Sequence, residues 1–310
     1  MSGAWYPAPA RTLLARDHDV ELGSRPWLMG IVNASPESFS DGGRHTTLAA
    51  QARLAERLLA AGADILDVGG ASARTDIAPI DAEQEIERVV PLIDVAAGEL
   101  GAIVSVDTYR PAVARAAIAA GAAIVNDVSG LRDVAMARLC AQTGAALVVM
   151  HTLAPPGRRL QAADSYGDVV AEVTAFLRER IDVAVTAGVR PDQLIVDPGP
   201  DFSKTPSQSI ELLAGIGTLH ELQRPLLLAA SRKDFIGALT RRAPRDRLGG
   251  TLAAVAHGVA RGAHIFRVHD VSAVVDFLTV SAALAGDAGV PRGLALSEEL
   301  RYDRLARPLG

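Results

Sequence analysis

One pattern recurs along this chain and limits what it can fold into: a Gly-Ala pair, four to six aliphatic residues, then a polar residue. It appears in "GADILDVGG" at Gly62, "GAAIVNDVSG" at Gly121, "GAALVVMH" at Gly144 and "GAHIFRVHD" at Gly262. "WLMGIVN" at Trp27, "GAIVSVDT" at Gly101 and "RPLLLAASRK" at Arg224 fit it less completely, and "QLIVDPG" at Gln193 brings the runs to eight. Unbroken aliphatic runs of this length suit strands buried on both faces, which occur in parallel sheets covered by helices.

Between the runs lie amphipathic stretches such as "LAAQARLAERLLAA" from Leu48, "RPAVARAAIAA" from Arg110 and "YGDVVAEVTAFLRERIDVAVTA" from Tyr166. Their apolar positions step by three and four, and a glycine, the natural C-terminal stop of a helix, follows several of them. Strand and helix alternating eight times predict a single-domain (β/α)₈ TIM barrel. Residues 27–286 match the roughly 250 residues typical of that fold. A doubly wound open sheet also alternates, but its first turn should carry a glycine-rich dinucleotide loop, which is missing after "WLMGIVN".

The 49% hydrophobic and 4% aromatic content implies an aliphatic core, and the net charge of −5 excludes a basic nucleic-acid face. The one arginine-rich stretch, "RRAPRDR" from Arg241, reads as a solvated loop or helix start. The single cysteine, Cys140, rules out an internal disulfide framework or a thiolate metal site. No apolar run approaches the roughly 20 residues of a membrane span, and no targeting segment is recognisable at the start, so a cytoplasmic protein without membrane partners is expected. The division expected is a flexible arm over residues 1–25, the barrel over 26–288 and a tail over 289–310.

In a parallel barrel the active site lies at the carboxyl ends of the strands. Here the runs end on Asn33, Asp67, Asp107, Asn126, His151, Asp197, Ser231 with Lys233, and Arg267 with His269. Polar groups in an apolar mouth are costly unless they pair or meet a polar ligand. Asp107, Asn126 and Asp197 suit a flat heterocycle that presents N–H donors and a ring carbonyl. Lys233, Arg267 and His269 place positive charge after runs seven and eight, where barrels often bind phosphate. "NASPESFSDGG" from Asn33 is long for a βα turn and suits a mobile flap.

Taken together, "MGIVNASPESFSDGG", "ILDVGGASART", "SVDTYRPAVARAA", "IVNDVSG", "VVMH", "DPGPDFSKT", "SRKDFIG" and "RVHDV" resemble dihydropteroate synthase, a pterin-binding barrel family of folate synthesis. The resemblance implies condensation of p-aminobenzoate with 6-hydroxymethyl-7,8-dihydropterin diphosphate, releasing diphosphate, with Mg²⁺ as cofactor. Asp107, Asn126, Asp197 and Lys233 match pterin-holding positions, with Met150 lining the pocket. Asn33, Arg267 and His269 match the diphosphate and Mg²⁺ end, Asn33 touching the metal. Arg74 and Ser231 match residues that close over diphosphate and aminobenzoate, and Phe202 matches a ring at the aminobenzoate entrance. Asp107, Lys233, Arg267 and His269 form the expected catalytic set. A homodimer through the last helices is also implied; the apolar "SAVVDFLTVSAALAG" from Ser272 suits either such an interface or an ordinary barrel helix, core packing being the commoner role of such a stretch.

Departures from the family pattern cluster. The second loop usually reads G-E-S-[ST]-R-P-G, whereas this chain has "GASARTD", with Ala71, Ala73, Thr75 and Asp76 at altered positions. The first loop has Ala34, Ser35 and Glu37 where Thr and Asp are commoner. Asp201 stands where the family usually has Gly. A carboxylate there, about 5 Å from that of aminobenzoate, would cost roughly 1–3 kcal/mol, and one turned to solvent would cost nothing. Three readings follow: a working synthase with a drifted entrance, a paralogue that binds pterin with weak or no synthase activity or uses another amine, and a pterin-dependent methyltransferase domain. "SRK" and "RVHDV" disfavour the last, since a methyl donor needs no diphosphate site.

Overall fold

The computed structural model describes residues 5–34, 47–71, 80–158 and 160–301. Its ten strands are β1 (Arg11–Ala15), β2 (His18–Leu22), β3 (Trp27–Asn33), β4 (Ile65–Gly69), β5 (Ile103–Asp107), β6 (Ile124–Asp127), β7 (Ala146–Met150), β8 (Leu194–Asp197), β9 (Leu227–Leu228) and β10 (Ile265–Val268). The α-helices are α1 (Leu48–Ala60), α2 (Ala82–Asp94), α3 (Pro111–Ala119), α4 (Val134–Thr143), α5 (Val169–Thr186), α6 (Pro206–Ala214), α7 (Asp234–Thr240), α8 (Leu248–Ala260) and α9 (Val271–Ala285).

All eight aliphatic runs contain strands. β3 to β10 form one parallel sheet in the order β8-β7-β6-β5-β4-β3-β10-β9. A parallel bridge between Val196 and Leu226 joins its two ends, with the Val196 N–H donating to Pro225 O at 3.0 Å. The ring is therefore closed, as a barrel and not an open sheet. The helix bounds follow the sequence signals closely: Pro111 opens α3, and Gly144 and Gly286 end α4 and α9 in the left-handed conformation.

Period-two alternation sorts the strand residues into two layers. One set, including Val104, Val125, Leu147 and Val196, packs outward against the helices. The other set, Met29, Ile65, Ile124, Val148, Ile195, Leu227 and Ile265, fills the barrel.

Residues 11–22 differ from the flexible arm expected of residues 1–25. β1 and β2 form an antiparallel hairpin, and its Leu13, Ala15, Val20 and Leu22 are buried in the barrel-filling cluster. The hairpin plugs the amino-terminal end of the barrel, and its apolar side chains find there the partners that an isolated arm would lack. Arg16 fastens it, donating its backbone N–H to Gly144 O and its guanidinium to Ile118 O and Ala122 O. Nearby, the His264 ring accepts the Leu226 N–H at Nδ1 and bonds Pro9 O through Nε2. Burial holds that imidazole down at about 4, so it stays neutral near pH 7. Beyond α9, residues 287–301 are exposed and carry one 3₁₀ turn, Glu298–Leu300.

Candidate active site

The barrel-filling rows that start apolar at the plugged end finish polar at the other. Two positions beyond Ile65 stands Asp67, and beyond Ile124 and Ile195 stand Asn126 and Asp197; Arg267 follows Ile265 in the same way. The Arg267 guanidinium spans the mouth, donating through Nε to Asp67 Oδ2 at 2.6 Å and through Nη2 to Asp107 Oδ2 at 2.8 Å. Asn126 Nδ2 also donates to Asp67 Oδ2, at 3.3 Å. Asp67 Oδ1 and Asn126 Oδ1 are buried without a hydrogen-bond partner among the described residues. Buried acceptors of this kind suit a ligand rich in N–H donors.

More carboxylate than guanidinium is gathered here, which changes proton affinities. Burial lifts Asp107 to about 7; Arg267 pulls it down, while Asp67 and Glu85 add repulsion. Asp197 is likewise raised by burial, opposed first by the Gly199 N–H, which donates to its Oδ1 at 2.7 Å. The two flanking carboxylates push the Arg267 guanidinium up against its desolvation, so its charge is secure.

The segment after β8 forms one wall. Gly199, Asp201 and Ser203 have φ of 61°, 68° and 52°, so the chain enters the left-handed region at every second residue. At Gly199 a side chain is excluded outright, because a Cβ would lie 2.3 Å from His151 O. The fold of this loop centres on Lys204, which is fully buried. Its ammonium reaches His151 Nδ1 at 2.8 Å and donates to Gly199 O and Phe202 O at 3.0 Å each. Burial brings Lys204 down to about 7, and burial with the Lys204 charge brings His151 down to about 3, leaving a neutral imidazole that accepts at Nδ1. The Ser203 hydroxyl accepts the N–H groups of Leu153 and Ala154 and pairs with Thr152 Oγ1, tying the wall to the loop after β7. Thr205 then caps α6 in a reciprocal pair with Gln208.

The adjoining wall comes from the segments after β9 and β10. Ser231 Oγ accepts the His269 N–H at 3.3 Å and lies 3.0 Å from His269 Nδ1. Lys233 precedes α7, with its Nζ 4.4 Å from the centroid of the Phe202 ring. Arg232 pairs with Asp270 through two bonds, and Arg247 supports the turn by donating to Arg232 O and Lys233 O.

Asn33, Asp107, Asn126, Met150, Asp197, Phe202, Ser231, Lys233, Arg267 and His269 thus all lie at the carboxyl ends of the strands or in the segments that follow them. Arg74 and residues 35–43 of the first loop fall outside the described residues, as do Ala73, Thr75 and Asp76. Two expectations are revised. His151 does not join the polar mouth: one residue beyond inward-facing Met150, it turns outward and packs on Phe176 and Tyr166, with ring centroids 4.7 and 5.9 Å away. Nor do Lys233, Arg267 and His269 make a block of positive charge. Burial, Arg232 and Arg267 hold His269 at about 4, so its ring is neutral, and the Arg267 charge is shared by two carboxylates.

Asp67 and Lys204 carry more of the site than the sequence suggested. In the sequence Asp67 is one polar strand end among eight, and Lys204 is one residue of "DPGPDFSKT". Asp67 was visible by its parity with Ile65; nothing in the sequence marks Lys204 as buried. Arg247 came from the stretch expected to be a solvated loop or helix start, which is otherwise exposed and holds a 3₁₀ turn at Pro244–Asp246.

The stretch that builds this closed barrel and its polar mouth, residues 29–269, matches the family profile of the pterin binding enzymes. The dihydropteroate synthase of Escherichia coli is 39% identical over 291 residues, covering 94% of this chain and 99% of that protein. Two structures of Xanthomonas albilineans dihydropteroate synthase, one with 4-aminobenzoic acid and one with 7,8-dihydropteroate, each show 42% identity over 91% of this chain and all of theirs, at TM-scores of 0.82 and 0.78. The chain belongs to the dihydropteroate synthase family.

Proposed function

We propose that this chain condenses p-aminobenzoate with 6-hydroxymethyl-7,8-dihydropterin diphosphate to give 7,8-dihydropteroate and diphosphate. The observation that carries the reading is the mouth itself, where Asp67, Asp107, Asn126 and Asp197 surround Arg267 and two buried acceptor oxygens remain available. Asp107 and Asp197 hold the pterin by its N–H edge with Asn126, and Met150 closes one side. The amine nitrogen forms a bond to the pterin methylene carbon as the bond from that carbon to the diphosphate oxygen breaks. The bonding pair leaves with diphosphate, and the amine releases one proton to water. The carboxylates of Asp107 and Asp197 stabilise the positive charge that develops at the methylene, and Lys233, Arg267 and neutral His269 receive the charge of the leaving group as donors.

The donor set fits Mg²⁺. Asn33 offers an amide oxygen at the exposed end of β3. That arrangement matches an ion bound by one protein oxygen together with substrate phosphates. When bound, the ion would neutralise diphosphate charge and ease its departure. Ser231, Phe202 and Arg74 complete the proposal as the residues around aminobenzoate and diphosphate.

A homodimer in the cytoplasm is part of the same reading. Its support is the exposed apolar surface around α8 and α9, where Leu248, Val280 and Leu284 are 38%, 57% and 85% exposed. No helix of the described residues is long and apolar enough to cross a membrane. The deciding assay is diphosphate release from the pterin diphosphate with Mg²⁺, with and without p-aminobenzoate. Turnover of about 0.1–10 s⁻¹ that requires aminobenzoate is expected; pterin binding with no turnover would instead support a binding paralogue.

A further inference from the structure

Asp201 stands where the family pattern usually has Gly, and both oxygens of its carboxylate are engaged. Its backbone N–H donates to Ser209 Oγ at 2.9 Å, and that hydroxyl donates back to Asp201 Oδ1 at 3.0 Å. Ser209 is completely buried in α6. The second carboxylate oxygen, Oδ2, accepts the backbone N–H of Asp234, the first residue of α7. One side chain therefore joins the wall after β8 to the wall after β9. Its neighbours in sequence complete the junction: Phe202, next to Asp201, stacks under the Lys233 ammonium, next to Asp234. Among the charges that oppose the desolvation of Lys233, Asp201 ranks ahead of Asp197.

The backbone explains why an aspartate can stand here. With φ at 68°, the position requires the left-handed region, which glycine enters freely and which Asp and Asn tolerate best among residues with a side chain. A carboxylate held by a buried hydroxyl and a backbone N–H is oriented away from the role of a free charge at the entrance.

We infer that Asp201 is a positioning residue that latches the two walls together and fixes Lys233 against Phe202, setting the fit of the amine substrate, and that it is not a charge placed in the path of aminobenzoate. This rests on the proposed synthase reaction. The latch makes a distinct prediction from repulsion. Repulsion would weaken only amines that carry a carboxylate, whereas a loosened wall weakens every aromatic amine alike.

The test compares the full-length protein with Asp201→Gly, which keeps the backbone conformation and loses both acceptors, and Asp201→Asn, which keeps that conformation and one acceptor. KM for p-aminobenzoate and the inhibition constant of uncharged p-aminobenzamide are measured, alongside pterin affinity and amide hydrogen exchange over residues 201–209 and 233–240. Expected for Asp201→Gly is a rise of about tenfold in both amine constants, with a smaller loss of pterin affinity through Lys233 and faster exchange in both segments. Asp201→Asn should fall between. A lower KM for p-aminobenzoate with the p-aminobenzamide constant unchanged would overturn the latch in favour of repulsion, and so would unchanged constants and exchange in both variants. Should the parent protein itself show no turnover, the synthase reading fails, and exchange still decides the latch: faster exchange in both segments supports it and unchanged exchange overturns it.

Discussion

Asp107 shows how the site sets its own chemistry. Burial beside Asp67 and Glu85 keeps its carboxyl near 7 although Arg267 and Lys233 stand close. A pterin donating N–H groups needs the ionised form, so below that pH a proton must leave before the ligand binds. Affinity for 6-hydroxymethylpterin should therefore fall as pH drops from 8 to 5.5, approaching tenfold per unit below about 6, with proton release on binding. Calorimetric titration in buffers of different ionisation heat measures both, and Asp107→Asn should flatten the profile while weakening binding at pH 8. Lys204 allows a second test at this scale. Replacing it by Met removes the donor for His151 Nδ1, Gly199 O and Phe202 O. Since burial brings the amine to about 7, at pH 8 it is mostly neutral, with two N–H groups shared among these three acceptors, and little charge desolvation is relieved. The orphaned acceptors should then cost about 2–5 kcal/mol in urea unfolding.

At the scale of elements, the strands were readable and the loops much less so. A buried parallel strand announces itself as a contiguous aliphatic run, and the last inward position of each row is fixed by parity once the run is placed. The sequence alone thus puts Asp67, Asn126, Asp197 and Arg267 at the mouth. The segment "DPGPDFSKT" carries no such period, because its shape comes from three left-handed residues and from contacts to chain far away in sequence. Gly199→Ala tests that reading. A methyl group forced to within 2.3 Å of His151 O at a φ of 61° should lower stability by about 2 kcal/mol or more and weaken aminobenzoate binding. Denaturant midpoints together with KM check both parts.

The molecule as a whole depends on a piece that read as an arm. After a two-residue turn, Arg16 and Asp17, "HDVEL" alternates apolar and polar residues, while "RTLLA" ends in an unbroken Leu13-Leu14-Ala15, so the alternation of one strand was the available signal. It is short, and an isolated hairpin of this size is marginal in water, so the sequence alone offered little reason to expect order. The barrel supplies the reason: Leu13 and Leu22 close an aliphatic interior that would otherwise meet solvent. Leu13→Ala should cost about 2–5 kcal/mol by leaving a cavity in the floor. Pterin affinity should stay within twofold, since the floor lies at the far end of the barrel from the ligand. Thermal unfolding and the same calorimetric titration separate these two effects.

By itself the sequence determined the alternation of strands and helices, the aliphatic filling and the identity of the polar residues that end each strand. These follow from local period and composition, which the chain carries in every short window. Only the tertiary structure decided that the ring closes through Val196 and Leu226, that a hairpin plugs it, that His269 is neutral and that Lys204 is buried. It also decided that Asp201 holds two walls together instead of facing the substrate. Each of these depends on which distant groups share a small, poorly hydrated volume, and burial, pairing and proton affinity take their values only once that volume exists.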